Sequence, residues 1–434
     1  MLFNFFIGKK LRYHSTTTFS NKTILIFGIS LNLLVLAYFK YYDFFIENFN
    51  TLFDSNIELL HLALPLAISF FTFQQIAYLV DSYRSETKEY DFIKYAVFVT
   101  FFPQLIAGPI VHHKEMMPQF ADKNNSLLNP ENIVRGLYIF SIGLFKKVVI
   151  ADTFSVYATQ GFDVAKILSF YESWATSLSY TFQLYFDFSG YTDMAIGLAL
   201  LFNIVLPLNF NSPYKALNIQ DFWRRWHMTL SRFLRDYIYI PLGGNRNGSF
   251  RTYHNLMATF ILGGLWHGAA WTFVLWGLLH GFAISIHRLW MKLGVNMWRW
   301  LAWFITFMFI NITWVFFRAE HWDDVEKVLK GMLGIQKGKQ YDLSIEFVNT
   351  LSMIFNTPLY DYLPYTVRQT RVDEMILFLC IVFIAIVTLL KNSNDYISRK
   401  TISTKRMVLA SISFSVAIVV SYTSSTAVFL YFNF

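Results

Sequence analysis

The sequence predicts an all-α polytopic membrane protein, with roughly 10–11 transmembrane or re-entrant helices and amphipathic helices at the interface. Three observations carry this. The 434 residues are 55% hydrophobic, 19% aromatic and only 15% charged, whereas soluble domains hold about 25% charged residues. Apolar stretches near spanning length recur along the chain. Basic residues gather in a few loops, as the positive-inside rule expects, so the net charge of +8 points to membrane topology and not to nucleic acid. The ten-residue alternating segments of an outer-membrane barrel are missing.

The elements follow in chain order. Lys9, Lys10, Arg12 and Lys22 place the leading segment in the cytoplasm. The first span, 23–41, is long and lacks a small-residue cleavage site, so it reads as an anchor and not a cleaved signal. Loop 42–56 carries Asp43, Glu47 and Asp54 with no Lys or Arg, and falls outside. Spans 57–80, 94–111, 133–150, 172–189 and 191–209 return loop 210–255 to the cytoplasm. Its charges agree: Lys215, Arg224, Arg225, Arg232, Arg235, Arg246 and Arg251 stand against Asp221 and Asp236.

The run 256–290 has cytoplasmic charges at its far end as well, in Arg288, Lys292 and Arg299. It therefore enters and returns, as a hairpin or two short helices broken near Gly263, Gly264 and Gly268, with His267 near the turning point and close to mid-membrane. Irregular backbone at that depth must be protein-buried or line a cavity. Span 300–317 leads to an external loop, 318–373, of mixed charge. Span 374–391 leads back to a cytoplasmic loop, 392–406, and the last span is 407–431. Cys380 is the single cysteine, which excludes an internal disulfide and argues against a thiolate metal site. No 20–50-residue repeat is apparent.

His267 is the leading candidate for chemistry. A titratable group at bilayer depth is costly and marks a functional site by default; the alternative is a core histidine bonded to a neighbouring helix. Trp266, Trp271 and Trp276 wall it in and favour the neutral imidazole, the form a general base needs. Gly263, Gly264, Gly268 and Ala269 let a bulky substrate approach the backbone. General-base assistance of roughly 10²–10⁴-fold corresponds to about 2.7–5.5 kcal/mol of barrier.

His227 lies in Arg-Arg-Trp-His-Met-Thr-Leu-Ser, and an interfacial aromatic-belt histidine is an equal reading. Segment 221–240 is an amphipathic cytoplasmic element anchored by Trp223, Trp226, Phe233 and Tyr237. Arg224, Arg225, Arg232 and Arg235 face lipid head groups or, with Asp236, line an entrance for a phosphate-rich donor such as coenzyme A. Asp187 and Asp193 flank a tight turn at Gly190; they are either turn-capping residues or, if deeper, partnered by a cation such as arginine. Gln183 and Tyr185 extend that polar strip, and Lys146 and Lys147 snorkel to the interface. No phosphate loop, nucleophile elbow or His-Glu-x-x-His helix occurs. His280 and His287 share a helix face without acidic partners, so no metal is expected.

These residues resemble the membrane-bound O-acyltransferase family in its bacterial alginate and cell-wall acetylating branch. The resemblance rests on Asp221–Arg246, ending Tyr-Ile-Pro-Leu-Gly-Gly-Asn-Arg, and on Leu262–Gly281, Leu-Gly-Gly-Leu-Trp-His-Gly-Ala-Ala-Trp…Leu-Trp-Gly-Leu-Leu-His-Gly. Ile68–Arg84, Phe102–Gly108 with Pro109, and Phe186–Gly197 add to it. It implies a ring of helices around a central tunnel, with the active-site histidine at His267 and a second motif histidine at His227. Relatives commonly carry a further hydrophobic segment ahead of this chain's beginning, so the chain reads as a shorter variant or one with a late start. The expectation is one membrane-embedded acyltransferase domain, 1–434, with a motif core at about 60–317, the external loop and C-terminal helices 374–434.

By the same resemblance the protein sits in the bacterial inner membrane. It takes acetyl from a cytoplasmic donor, acetyl-CoA, with no permanently bound cofactor. The acceptor is an exported polysaccharide, alginate-like or peptidoglycan, and a periplasmic partner protein completes transfer. Two rivals are a non-enzymatic carrier or channel gated by intramembrane His and Asp, and an acyltransferase acting on a lipid or protein hydroxyl.

Overall fold

A computed structural model describes residues 1–12, 20–87, 91–336, 372–396, 402–423 and 430, and among them it is all-helical. Helix α1 (Leu2–Arg12) packs beside α2 (Asn21–Phe53), which is capped by the Ser20 hydroxyl accepting from Thr23 N–H at 3.2 Å. Helix α3 (Ile68–Tyr83) follows an irregular stretch, then α4 (Phe92–Thr100) and α5 (His113–Ala121). Helix α6 starts at Pro130, with Asn129 capping it, and runs through two π turns to Val164. Helix α7 (Phe170–Leu201) opens with a Ser169–Glu172 capping box. Short α8 (Ile219–Trp223) and α9 (Met228–Leu234) precede α10 (Gly248–His267), α11 (Trp271–Leu293), α12 (Arg299–Arg318) and the amphipathic α13 (Trp322–Met332). Helices α14 (Val372–Leu389) and α15 (Thr404–Thr423) complete the described chain.

Among the described residues, five helical stretches are long and apolar enough to cross a membrane: Asn21–Phe53, Trp271–Leu293, Arg299–Arg318, Ile376–Asp395 and Thr404–Tyr422. The fold is that of an all-α polytopic membrane protein. Helix α7 escapes a hydropathy criterion because it is buried among other helices and carries polar side chains inward.

Several span boundaries differ from the sequence expectation. Residues 172–209 do not make two spans with a turn at Gly190; α7 passes straight through that position. Gly190 is there for close approach. A Cβ on Gly190 would lie 2.7 Å from the Gly143 carbonyl oxygen, and one on Gly143 would lie 2.6 Å from that of Gly190. Gly136 and Gly197 repeat the arrangement, 2.7 Å each way. Glycines seven residues apart on each antiparallel helix thus let α6 and α7 touch backbone to backbone, the use membrane helices make of small residues.

The expected span 94–111 also fails. Helix α4 ends at Thr100, a single turn Phe102–Leu105 starts around Pro103, and 106–112 is irregular. Fewer spans than expected thus precede residue 210, and the cytoplasmic side of loop 210–255 rests on its charge alone. Loop 42–56 is mostly the continuation of α2, ending at Asp54 with φ 50°. The last helix is described as far as Thr423, and most of loop 318–373 and of 424–431 lies outside the described residues.

Candidate active site

The expected hairpin at 256–290 is present, formed by α10 and α11. Its break is at 268–270, whereas Gly263 and Gly264 lie inside α10. A Cβ on Gly264 would collide with the Phe273 carbonyl oxygen, and one on Gly268 with the Phe273 ring. Both glycines therefore let the start of α11 fold tightly back onto α10. With 20 and 23 residues the two arms are hardly short helices, since each spans about 30 Å or more.

His267 is the last residue of α10, 3% exposed. Its ring makes edge contacts with Trp266, Trp276 and Phe317, at centroid distances of 4.8, 5.3 and 5.0 Å. A helix ending in a buried corner leaves carbonyls without intrahelical partners. Here α2 supplies partners from a π turn at Ala37–Tyr41. Lys40 Nζ donates to the carbonyls of Trp266 (2.6 Å) and His267 (3.0 Å) and to Ser69 Oγ (3.1 Å), while Tyr41 OH donates to the Leu265 carbonyl (2.7 Å). A cation at a helix C-terminus is also favoured by the helix dipole.

His267 lines a cavity of about 750 Å³. Lys40, Thr272, Tyr180 and Gln183 line it too, and Asp43, Asp163, Arg318 and Glu320 bring charge to it. Arg318 pairs with Asp163 at 2.5 Å. Thr272 Oγ1, Tyr180 OH and Gln183 Oε1 are buried without a hydrogen-bond partner among the described residues. The lining comes from the 39–43 stretch within α2, the 62–64 stretch, α6 and α7, the hairpin corner and the 317–320 junction. A polar, hydroxyl-bearing ligand fits this lining.

His227 sits between α8 and α9 in the left-handed region (φ 42°, ψ 54°), fully buried. Its Nδ1 lies 3.1 Å from Asn209 Oδ1, which also accepts from Thr229 N–H and hydroxyl at 3.2 and 2.9 Å. The amide oxygen only accepts, so Nδ1 carries the hydrogen. His227 packs on Phe188 (4.7 Å) and on Trp266 (6.3 Å), the residue before His267, and is close enough to His267 to act on it electrostatically. The two sequence-predicted histidines thus share one aromatic cluster.

The speculative channel residues are placed elsewhere. Arg224 is exposed; Arg225 pairs with Asp221 at 2.8 Å. Arg235 is exposed and pairs with Asp236, whose hydrogen bond pushes the arginine pKa up from its ordinary value. Asp193 and Asp187 are buried on α7, and their partners are lysines: Lys146 at 2.7 Å and Lys147 at 3.2 Å. Lys146 and Lys147 therefore turn inward and do not snorkel. His280 Nδ1 accepts from Trp223 Nε1 at 3.1 Å, and no cluster of three potential metal ligands occurs among the described residues. Sequence reasoning missed Lys40, whose signal was a single cation inside an apolar helix.

The structure thus places a buried imidazole against a polar-lined cavity in an all-helical membrane fold. The membrane-bound O-acyltransferase family pattern matches residues 79–320, over half the chain, and the chain belongs to that family. It is an O-acyltransferase. A peptidoglycan O-acetyltransferase of Helicobacter pylori is 50% identical over 100% of this chain and 86% of its own length. A probable alginate O-acetylase, AlgI, of Pseudomonas aeruginosa is 43% identical over 74% of this chain and 62% of its own. A teichoic acid D-alanyltransferase of Bacillus subtilis is 28% identical over 47% and 54%.

Proposed function

We propose that the chain acts as one membrane-embedded domain, 1–434, that moves acetyl from acetyl-CoA on the cytoplasmic side to hydroxyls of an exported polysaccharide, with peptidoglycan as acceptor. The observation that carries this reading is His267 lining the outward-side cavity, beside polar groups of Thr272, Tyr180 and Gln183 that have no hydrogen-bond partner among the described residues. Peptidoglycan is favoured because the relative bearing that name aligns along the whole chain, whereas the alginate-named relatives align over part of it.

In this mechanism the acceptor hydroxyl enters the cavity and His267 takes its proton. The alkoxide-like oxygen attacks the acetyl carbonyl carbon. The carbon–sulfur bond of the thioester then breaks, and the proton passes from the imidazolium to the departing thiolate. No protein nucleophile is required. His227, one aromatic layer away, shapes the donor side. The donor's phosphates are assigned to the basic cytoplasmic face, with Arg235 as an exposed cation there. A periplasmic partner protein presents the glycan hydroxyl at the cavity mouth in the inner membrane.

The test uses the purified protein in proteoliposomes with acetyl-labelled coenzyme A and soluble peptidoglycan fragments. Wild type is expected to yield labelled glycan ester and His267→Ala none; unchanged transfer in His267→Ala removes the catalytic assignment.

A further inference from the structure

A second cavity, about 480 Å³, lies between α11 and α12 at the ends carrying Arg288, Lys292 and Arg299. The loop-charge rule puts these ends in the cytoplasm with loop 210–255, and the structure joins the two regions: Lys292 Nζ donates to Ser249 Oγ at 3.0 Å. The floor is apolar, with Phe282, Ala283, Ile286, Ala302 and Ile305 among its lining. The helix faces beside it stay apolar and uncovered: Phe282 is 58% exposed and Phe304 48%. An apolar cleft between two spanning helices, open on apolar surface, faces hydrocarbon and not water.

Its rim has the opposite character. Arg299 and His287 line the mouth, and Arg224 is close enough to His287 to act on it electrostatically. Among the described residues neither Arg224 nor Arg299 is in an ion pair, in contrast to Arg225 and Arg235, which hold Asp221 and Asp236. Arg299 thus lines the apolar slot as an uncompensated guanidinium, with the exposed Arg224 on the His287 side of it.

We infer that this groove binds an anionic phospholipid of the cytoplasmic leaflet, its acyl chain between α11 and α12 and its phosphate between Arg299 and Arg224. Arginine forks match phosphate oxygens in pairs, and the apolar lining excludes a free anion from the slot. The lipid also touches Leu217, Asn218 and Ile219 at the start of α8, so it wedges that interfacial segment against the hairpin. The inference does not depend on which acceptor the enzyme serves.

Native mass spectrometry of the full chain in detergent, titrated with phosphatidylglycerol or phosphatidylcholine, tests it. Each arginine near an anionic head group contributes about 1 kcal/mol, or about fivefold. Arg224→Ala with Arg299→Ala is therefore expected to weaken phosphatidylglycerol binding about 30-fold and to leave the weaker phosphatidylcholine adducts unchanged. Both arginines are exposed, so the fold survives their loss. Ala302→Phe, which fills the slot, is expected to remove the preferred adduct while both arginines remain. Equal binding of the two lipids by wild type, or displacement by inorganic phosphate at equal concentration, overturns the inference. So does a change in oligomeric mass in Ala302→Phe without loss of lipid, which would give the groove to a second copy of the chain.

Discussion

Replacing Lys40 by methionine keeps the length of the side chain and removes three donated hydrogen bonds, two of them to the carbonyls that end α10. Each buried carbonyl stripped of such a bond costs about 1–3 kcal/mol. Methionine no longer has to bury an ammonium group, which offsets part of this, so the expected net loss is about 2–4 kcal/mol. The damage is local to the corner that bears His267. Displacing a reacting group by 1 Å costs about 100-fold in rate, so acetyl transfer is expected to fall about that far. Thermal unfolding in detergent micelles reads the first effect, and labelled acetyl transfer the second. Lys40→Gln, which keeps one donor group, should fall between wild type and Lys40→Met in both. A Lys40→Met protein that melts and transfers acetyl like wild type would show that the corner does not depend on this clamp.

Gly143→Val puts a branched side chain where a single Cβ already meets the Gly190 carbonyl oxygen at 2.6 Å, so α6 and α7 must separate. Overpacking of this kind costs about 1–3 kcal/mol or more, visible as a lower melting temperature, whereas an exposed α6 position such as Leu137 should tolerate valine. Lys146→Met leaves Asp193 buried with, among the described residues, only the Ser393 hydroxyl, 2.7 Å away, and is expected to destabilise by about 3–5 kcal/mol. Adding Asp193→Asn should recover part of that loss in the same unfolding measurement; no recovery would refute the pairing.

What the sequence reveals here depends on whether a residue's role is local. Charge in short loops is local, so the basic character of loop 210–255 was read directly, whereas the spans expected at 94–111 and 172–209 depended on distant packing and were misread. The hairpin and the place of His267 near its corner were legible from the same local charge. Gly190 was misread because a glycine that permits a turn and one that permits close helix approach look alike until the partner, Gly143, is known. Lys146 looked like an interfacial cation because its acid lies 47 residues further on, in a helix read as two; Lys147 holds an acid of that same helix, Asp187, beside the nearby Asp152. Lys40 was beyond reach: its acceptors are main-chain oxygens more than 220 positions away, and main chain leaves no trace in composition.

Lys40 and Tyr41 hold the corner by its peptide oxygens, and peptide oxygens are the same whatever side chain they carry. The imidazole at 267 can be exchanged while the frame that aims it stays anchored. His267→Ala should thus retain the shape of the site with its imidazole removed, a form suited to catching an acyl donor and its acceptor side by side before either has reacted.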